Sequence, residues 1–303
     1  MREAHLIYNP TAGRGRQTRH VLRLIDALRE QGWRATPVPT GASGEAATLA
    51  RAAVQSGTEA VFALGGDGHL REVASGMLGS STPMVPLPGG TTNVVARELG
   101  LGPQPLKALE RLRIAREERI DVGLCGDEVF LMQATAGLDA DVLAHVAPSV
   151  KRRLGRWAIV VSGLGRWWNY GYPEIHLVAD GEPLSAHFVA VCNLSRYAGR
   201  LRLGQASPTD GRLELVLFRG RGRRAALAFA FGLITGRYTK RADVEIRTVG
   251  EVTFQAPADV PLQLDGDPVA LSPPFTVRLA AERLTILVPA DQPGPKRDRS
   301  LAS

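Results

Sequence analysis

Apolar positions follow two regimes along this 303-residue chain. In the first, short apolar runs alternate with stretches of helical spacing. Ala60-Val61-Phe62-Ala63-Leu64 is continuous enough for a strand buried on both faces, and Leu70, Val73, Ala74 and Met77 then recur at the period of a helix. Between them stand Gly65, Gly66, Asp67 and Gly68. The same order of strand, glycine-bearing turn and helix occurs twice more. His5 to Tyr8 leads through Asn9-Pro10-Thr11-Ala12-Gly13-Arg14-Gly15-Arg16 into Val21, Leu22, Leu24, Ile25 and Leu28. Met84 to Pro88 leads through Gly89-Gly90-Thr91-Thr92-Asn93 into Val94 to Leu99. Trp33 to Pro39 predicts a further strand, followed by a helix through Val54 for which Thr40 is either the cap or a ligand contact. Parallel strands of this kind set their turns along one edge of a sheet.

From Ile175 the period drops to that of strands. Ile175 to Ala179, Asp180-Gly181 and Leu184 to Cys192 form a hairpin signature. Leu213–Phe218, Val244–Arg247, Val252–Gln255, Leu262–Leu264, Thr276–Leu279 and Leu284–Val288 add strands, interrupted by an apolar helix over Arg223 to Tyr238 with basic ends. The predicted fold class is α/β plus β. A nucleotide-binding α/β domain with a parallel sheet spans 1–124, an antiparallel β-sandwich spans 125–290, and 291–303 is a polar tail expected to be disordered. Two basic-aromatic stretches, Lys151 to Trp157 and Arg166 to Tyr170, are expected to pack on the second domain with their arginine stems covering apolar surface; contact with a headgroup layer is the alternative.

Composition narrows the classes. Cys125 and Cys192 are the only cysteines, which excludes a disulfide framework and a cysteine zinc site. The opening residues lack the apolar run of a signal peptide, and the longest apolar stretch, Ala225 to Ile234, is about half a membrane span. A cytoplasmic protein is expected. The net charge of +7 favours anionic partners: a nucleotide, or an anionic membrane touched peripherally. Nucleic-acid binding is not expected, because no recognition motif accompanies the charge.

Candidate chemistry follows from the turns. Glycines at a strand-to-helix junction let backbone N–H groups approach a ligand, and a helix N-terminus favours an anion. The Gly-Lys-Ser/Thr ending of a Walker loop is absent. Arg14, Arg16 and Arg19 are candidate phosphate contacts. Asp67 would meet phosphates through a cation or by positioning donors. In Leu264-Asp265-Gly266-Asp267-Pro268, two carboxylates at i and i+2 would point the same way on an extended chain.

The set Asn9-Pro10-x-x-Gly13, Gly65-Gly66-Asp67-Gly68 and Pro88-x-Gly90-Thr91-x-Asn93 with Ala96-Arg97 resembles the diacylglycerol kinase catalytic family, from about residue 4 to 289. The resemblance implies phosphorylation of a lipid alcohol by ATP with Mg2+, at the inner face of a membrane. It places nucleotide contacts on Asn9, Pro10, Thr11, Ala12, Gly13, Thr40, Gly65, Gly66, Asp67, Gly68, His69, Leu70, Arg71, Glu72, Gly90, Thr91 and Asn93. It places magnesium-organising carboxylates on Asp67 and Asp121, a structural magnesium loop on Ser207, Asp210 and Arg212, and the catalytic base on Asp265 or Asp267. Three positions depart from the pattern: Val94 stands where Asp is usual, His69 for Thr, and Arg71 for a frequent Asn. Arg71 either takes over part of the neutralisation of phosphate charge or lies on the outer helix face with no chemical role. These departures also motivate a rival reading, a nucleotide- and lipid-binding protein with little catalysis. A kinase of a soluble substrate such as NAD is a second rival. The lipid stays unassigned, and a homodimer is left open.

Overall fold

The computed structural model describes residues 1–10, 17–145, 163, 165–199, 201–256 and 260–291, excepting the side chains of 17–19 and 256. The chain forms two compact units, Met1–Val122 with the segment that returns from Ala281, and Gly123–Ala280.

The first unit is a six-stranded sheet in the order β2-β1-β3-β4-β18-β5. Strands β1 (Arg2–Tyr8), β2 (Trp33–Pro39), β3 (Ala60–Gly65) and β4 (Met84–Pro88) are parallel. Every residue of β3 and β4 is buried, as their unbroken apolar runs require. The helices are α1 (Gln17–Glu30), α2 (Glu45–Gln55), α3 (Asp67–Met77), the short α4 (Val94–Glu98) and α5 (Pro105–Arg111). Gly76 of α3 lies against α2 so closely that a Cβ there would stand 2.1 Å from the Ala47 carbonyl oxygen.

The expected boundaries differ in two places. The first unit ends at Val122 rather than residue 124. Strand β18 (Leu284–Pro289), expected in the second domain, returns to the first sheet, parallel to β4 and antiparallel to β5 (Ala115–Ile120). It is the apolar partner that buries the edge of β4, with Leu284 and Ile286 fully covered.

The second unit consists of two antiparallel six-stranded sheets, β10-β9-β14-β17-β6-β7 and β13-β12-β11-β8-β15-β16. In chain order the new strands are β6 (Gly123–Cys125), β7 (Glu128–Phe130), β8 (Gln133–Ala136), β9 (Ile175–Ala179), β10 (Glu182–Ala186), β11 (Phe188–Cys192), β12 (Leu213–Phe218), β13 (Val244–Val249), β14 (Glu251–Ala256), β15 (Leu262–Leu264), β16 (Asp267–Val269) and β17 (Phe275–Leu279). Phe130, Leu177, Val191, Leu215, Phe254 and Val277 join both sheets in one core. The Asp180-Gly181 hairpin forms as expected, both residues having positive φ. Helix α6 (Leu138–His145) follows β8, and α7 (Gly222–Thr235) packs Phe229 face to face on Phe218 at 4.5 Å.

Candidate functional site

In the first unit the strand order reverses at β1 and β3: β1 connects to β2 on one side, and β3 to β4 on the other. The crevice beyond the carboxyl ends of such a pair is where open α/β sheets bind ligands. Two turns meet there. The turn after β3 enters α3 at Gly66, and no side chain caps that helix. The turn after β4 folds back so that Gly89 N–H donates to the Gly65 carbonyl at 2.7 Å. A Cβ on Gly90 would stand 2.6 Å from the Gly66 Cα, so the two backbones pass in contact. This is a cradle that any side chain would fill, and it fits a chain of phosphates held by backbone N–H groups and a helix N-terminus.

Asp67, the first residue of α3, is buried and turned toward the other turn. Its Oδ1 accepts the Val95 N–H at 3.0 Å and its Oδ2 the Thr92 hydroxyl at 3.1 Å. It thereby supplies the cap that α4 lacks, since Asn93 gives none. Burial pushes the Asp67 carboxyl above the usual carboxylate range, while the amides of Val95 and Val94 and the Thr92 hydroxyl pull it back.

His69 lies across the crevice. Its Nε2 is 3.3 Å from the Ile7 carbonyl oxygen, and its ring covers Gly65, where a Cβ would come within 2.4 Å of it. Burial holds its imidazole below its ordinary pKa, so the neutral ring donates to β1. The glycine at 65 is therefore required by His69.

The remaining residues expected to contact nucleotide lie in different settings. Gly68, Arg71 and Glu72 are half-buried on the first turns of α3, Thr91 is exposed, and Asn9 and Pro10 are half-buried beyond β1. Leu70 and Asn93 are buried builders of the unit. The Leu70 side chain is in the core, and Asn93 clamps Gly90, accepting its N–H at 2.7 Å and donating to its carbonyl at 3.2 Å. Thr40 does not cap α2; its N–H and hydroxyl both go to the Tyr8 carbonyl, and Glu45 reaches back to the Gly41 and Ala42 amides instead. Thr11, Ala12, Gly13, Arg14, Arg16 and the Arg19 side chain lie outside the described residues, as do 151–157 and the tail beyond 291.

For a divalent cation the first unit offers fewer donors than expected. Asp121 is buried in an ion pair with Arg283, Nε to Oδ1 at 2.8 Å, and position 94 is a buried valine. No group of three or more His, Cys, Asp or Glu side chains occurs among the described residues. Magnesium commonly takes one or two carboxylates and completes its shell with phosphate and water oxygens. Asp67 fits that role.

In the second unit, Asp265 and Gly266 are a two-residue turn between β15 and β16, both with positive φ. Asp265 and Asp267 thus flank a tight reversal rather than sharing a face of an extended chain, which corrects the i, i+2 reading. Asp265 is buried and accepts three successive amides: Leu131 at 2.7 Å, Met132 at 2.8 Å and Gln133 at 3.0 Å. Asp267 is half-buried at the start of β16, opposite Leu264.

Beside this turn is a buried polar cluster that the motifs did not reveal. Asp139 of α6 accepts hydroxyls from Thr135 and Tyr197 and the Ala140 amide; Gln263 donates to Thr135 at 2.7 Å. Burial pushes both the Asp139 carboxyl and the Tyr197 phenol upward. The available signal was the alternation Gln133-Ala134-Thr135-Ala136, which puts polar side chains on one face of a buried strand. In the expected magnesium loop, Asp210 is exposed and accepts the Arg212 N–H at 3.1 Å, and the buried Ser207 hydroxyl is 3.3 Å from that of Thr209.

Residues 3–125 match the family model described as diacylglycerol kinase catalytic domain, and residues 133–288 the one described as YegS C-terminal NAD kinase beta sandwich-like domain. A Chromohalobacter salexigens protein named "Probable lipid kinase YegS-like" is 30% identical, over 84% of this chain and 85% of its own. A Bacillus subtilis diacylglycerol kinase is 24% identical, over 88% and 90%. Solved structures described as a diacylglycerol kinase from Bacillus anthracis cover 94% of this chain and 95 to 96% of their own, at TM-scores of 0.69 to 0.78 and 17 to 20% identity, and share the fold. The matched family models and relatives define a kinase class built from an α/β unit and a β-sandwich. Within it, the chain belongs to the diacylglycerol kinase catalytic-domain family.

Proposed function

We propose that the protein transfers the γ-phosphate of ATP to a lipid hydroxyl. The observation that carries the nucleotide half is the backbone contact of Gly66 and Gly90 at the switch point of the parallel sheet. The amides at the α3 N-terminus, which no side chain caps, meet phosphate oxygens, and Arg71 adds a guanidinium on the second turn of that helix. Bound magnesium would be held by Asp67 and would spread the charge of the phosphates.

The transfer also needs a proton acceptor. As the acceptor oxygen bonds to phosphorus, its proton must leave, and a carboxylate is the group for that task. Three amides already occupy the Asp265 carboxylate, so that residue fixes the hairpin. Asp267, half-buried on the adjoining strand, is the base in this reading. The lipid acceptor rests on the family relationship and on the name of the Chromohalobacter relative.

The test is transfer from labelled ATP, with and without magnesium, to diacylglycerol and sphingoid bases in mixed micelles and to NAD in solution. The expected result is a labelled lipid that requires magnesium and is lost in Asp67→Asn. Label on NAD alone would replace the proposal with a kinase of a soluble substrate. ATP binding with no labelled product would replace it with a nucleotide- and lipid-binding protein.

A further inference from the structure

Helix α7 carries an outward apolar row that stays exposed among the described residues of the second unit. Leu227, Phe231 and Ile234, spaced i, i+4 and i+7, are 58%, 66% and 68% exposed. The opposite face is the packed one, with Phe229 and Gly232 buried. Trp168 joins the row at its N-terminal end: it is 59% exposed, the Arg223 guanidinium lies 4.3 Å over its ring, and the neighbouring Trp167 indole donates to the Arg223 carbonyl at 3.1 Å. Large exposed apolar side chains gathered on one face mark a contact surface.

Charge identifies what the surface meets. Residues 219–242 contain seven basic side chains and no acidic one. Arg219 and Arg241 are paired with Glu245 and Asp243. Arg221, Arg223, Arg224, Arg237 and Lys240 are exposed at the two ends of the row, and Arg224, Arg237 and Lys240 have no acidic partner among the described residues. Arg223 and Arg224 also oppose the dipole of α7, an arrangement that costs helix stability unless an anion compensates it.

We propose that this face of α7, with Trp168, seats in the headgroup layer of an anionic phospholipid membrane. The apolar row enters the acyl boundary, the indole and the arginines lie among the headgroups, and the cationic ends meet phosphates. A second copy of the chain fits worse: both ends of the row are cationic, so a self-contact in either direction opposes like charges. The test uses neither ATP nor a lipid with a free hydroxyl, so its failure is distinct from failure of the kinase reading.

The full chain is measured against vesicles of phosphatidylserine with phosphatidylcholine, and of phosphatidylcholine alone, by co-sedimentation. Binding is expected only to the anionic vesicles and weakens with salt. Leu227→Ser/Phe231→Ser/Ile234→Ser lowers affinity at least about tenfold. Arg223→Gln/Arg224→Gln/Arg237→Gln/Lys240→Gln lowers it about a hundredfold. Leu22→Ser/Ile114→Ser, exposed apolar positions of the first unit, leaves it unchanged. The charge variant keeps the apolar core intact and decides the question if the serine variant misfolds. Absence of binding by the wild type, or equal binding by the charge variant, overturns the proposal. So does a dimer in sedimentation velocity that the serine variant dissolves.

Discussion

Asp67 in the first unit and Asp265 in the second are both buried carboxylates that accept backbone amides beside a glycine turn. Their surroundings differ in one respect. Around Asp67, space comes from missing side chains: Gly66 and Gly90 bring two backbones into contact, and the first turn of α3 keeps uncapped amides. Around Asp265, the acid itself consumes the amides, three of them from consecutive residues. The first arrangement leaves donors for a ligand. The second spends its three amides on tying the hairpin turn to residues 131–133. In the proposed reading a buried, motif-borne aspartate serves the site in one unit and is a structural staple in the other.

The largest effect is expected at the staple. Asp265→Ala strands three buried amides and should cost about 3 kcal/mol or more in chemical denaturation. A loss below about 1 kcal/mol would show that the three bonds matter little. Next is Gly90→Ala, whose Cβ would meet the Gly66 Cα at 2.6 Å with backbone on both sides. It should cost about 2 kcal/mol and abolish ATP binding measured by calorimetry. Gly76→Ala sharpens the contrast: its clash with the Ala47 carbonyl exceeds the gain in helix propensity, for a net loss of about 1 kcal/mol, with ATP affinity unchanged.

The smallest effect is at His69. Its imidazole pKa is depressed by burial, so between that value and the ordinary value of 6.5 the unfolded chain binds the proton and the native one does not. Stability from this group is complete above pH 6.5 and is lost as pH falls through the folded pKa. Comparing melts across this range, His69→Gln should show a flatter dependence than wild type.

Much of this was legible locally. The runs at 60–65 and 84–88 and the glycines after them specify strand, turn and helix within one stretch of chain, and Asp180-Gly181 specifies its hairpin turn. Long-range choices were not legible. Leu284–Pro289 reads like any other strand, and its pairing with β4 and β5 has no local signature. Ala115–Ile120 is an edge strand made mostly of charges, the composition that protects an edge and hides a strand. At Gly65 the glycine signalled a close approach, but the approaching group is His69, four residues later. The apolar run of α7 could not tell a buried helix from one with an outward apolar face, since it is apolar all round. Arg283, which occupies Asp121, carries no motif at all.

The central claim is the division of labour between Asp265 and Asp267, and Asp267→Asn tests it most directly when turnover and melting are measured on the same preparation. The account predicts a fall in kcat of about a hundredfold or more with an unchanged melting temperature. Full turnover in Asp267→Asn, with activity instead lost in an Asp265→Asn variant that melts like wild type, would contradict it.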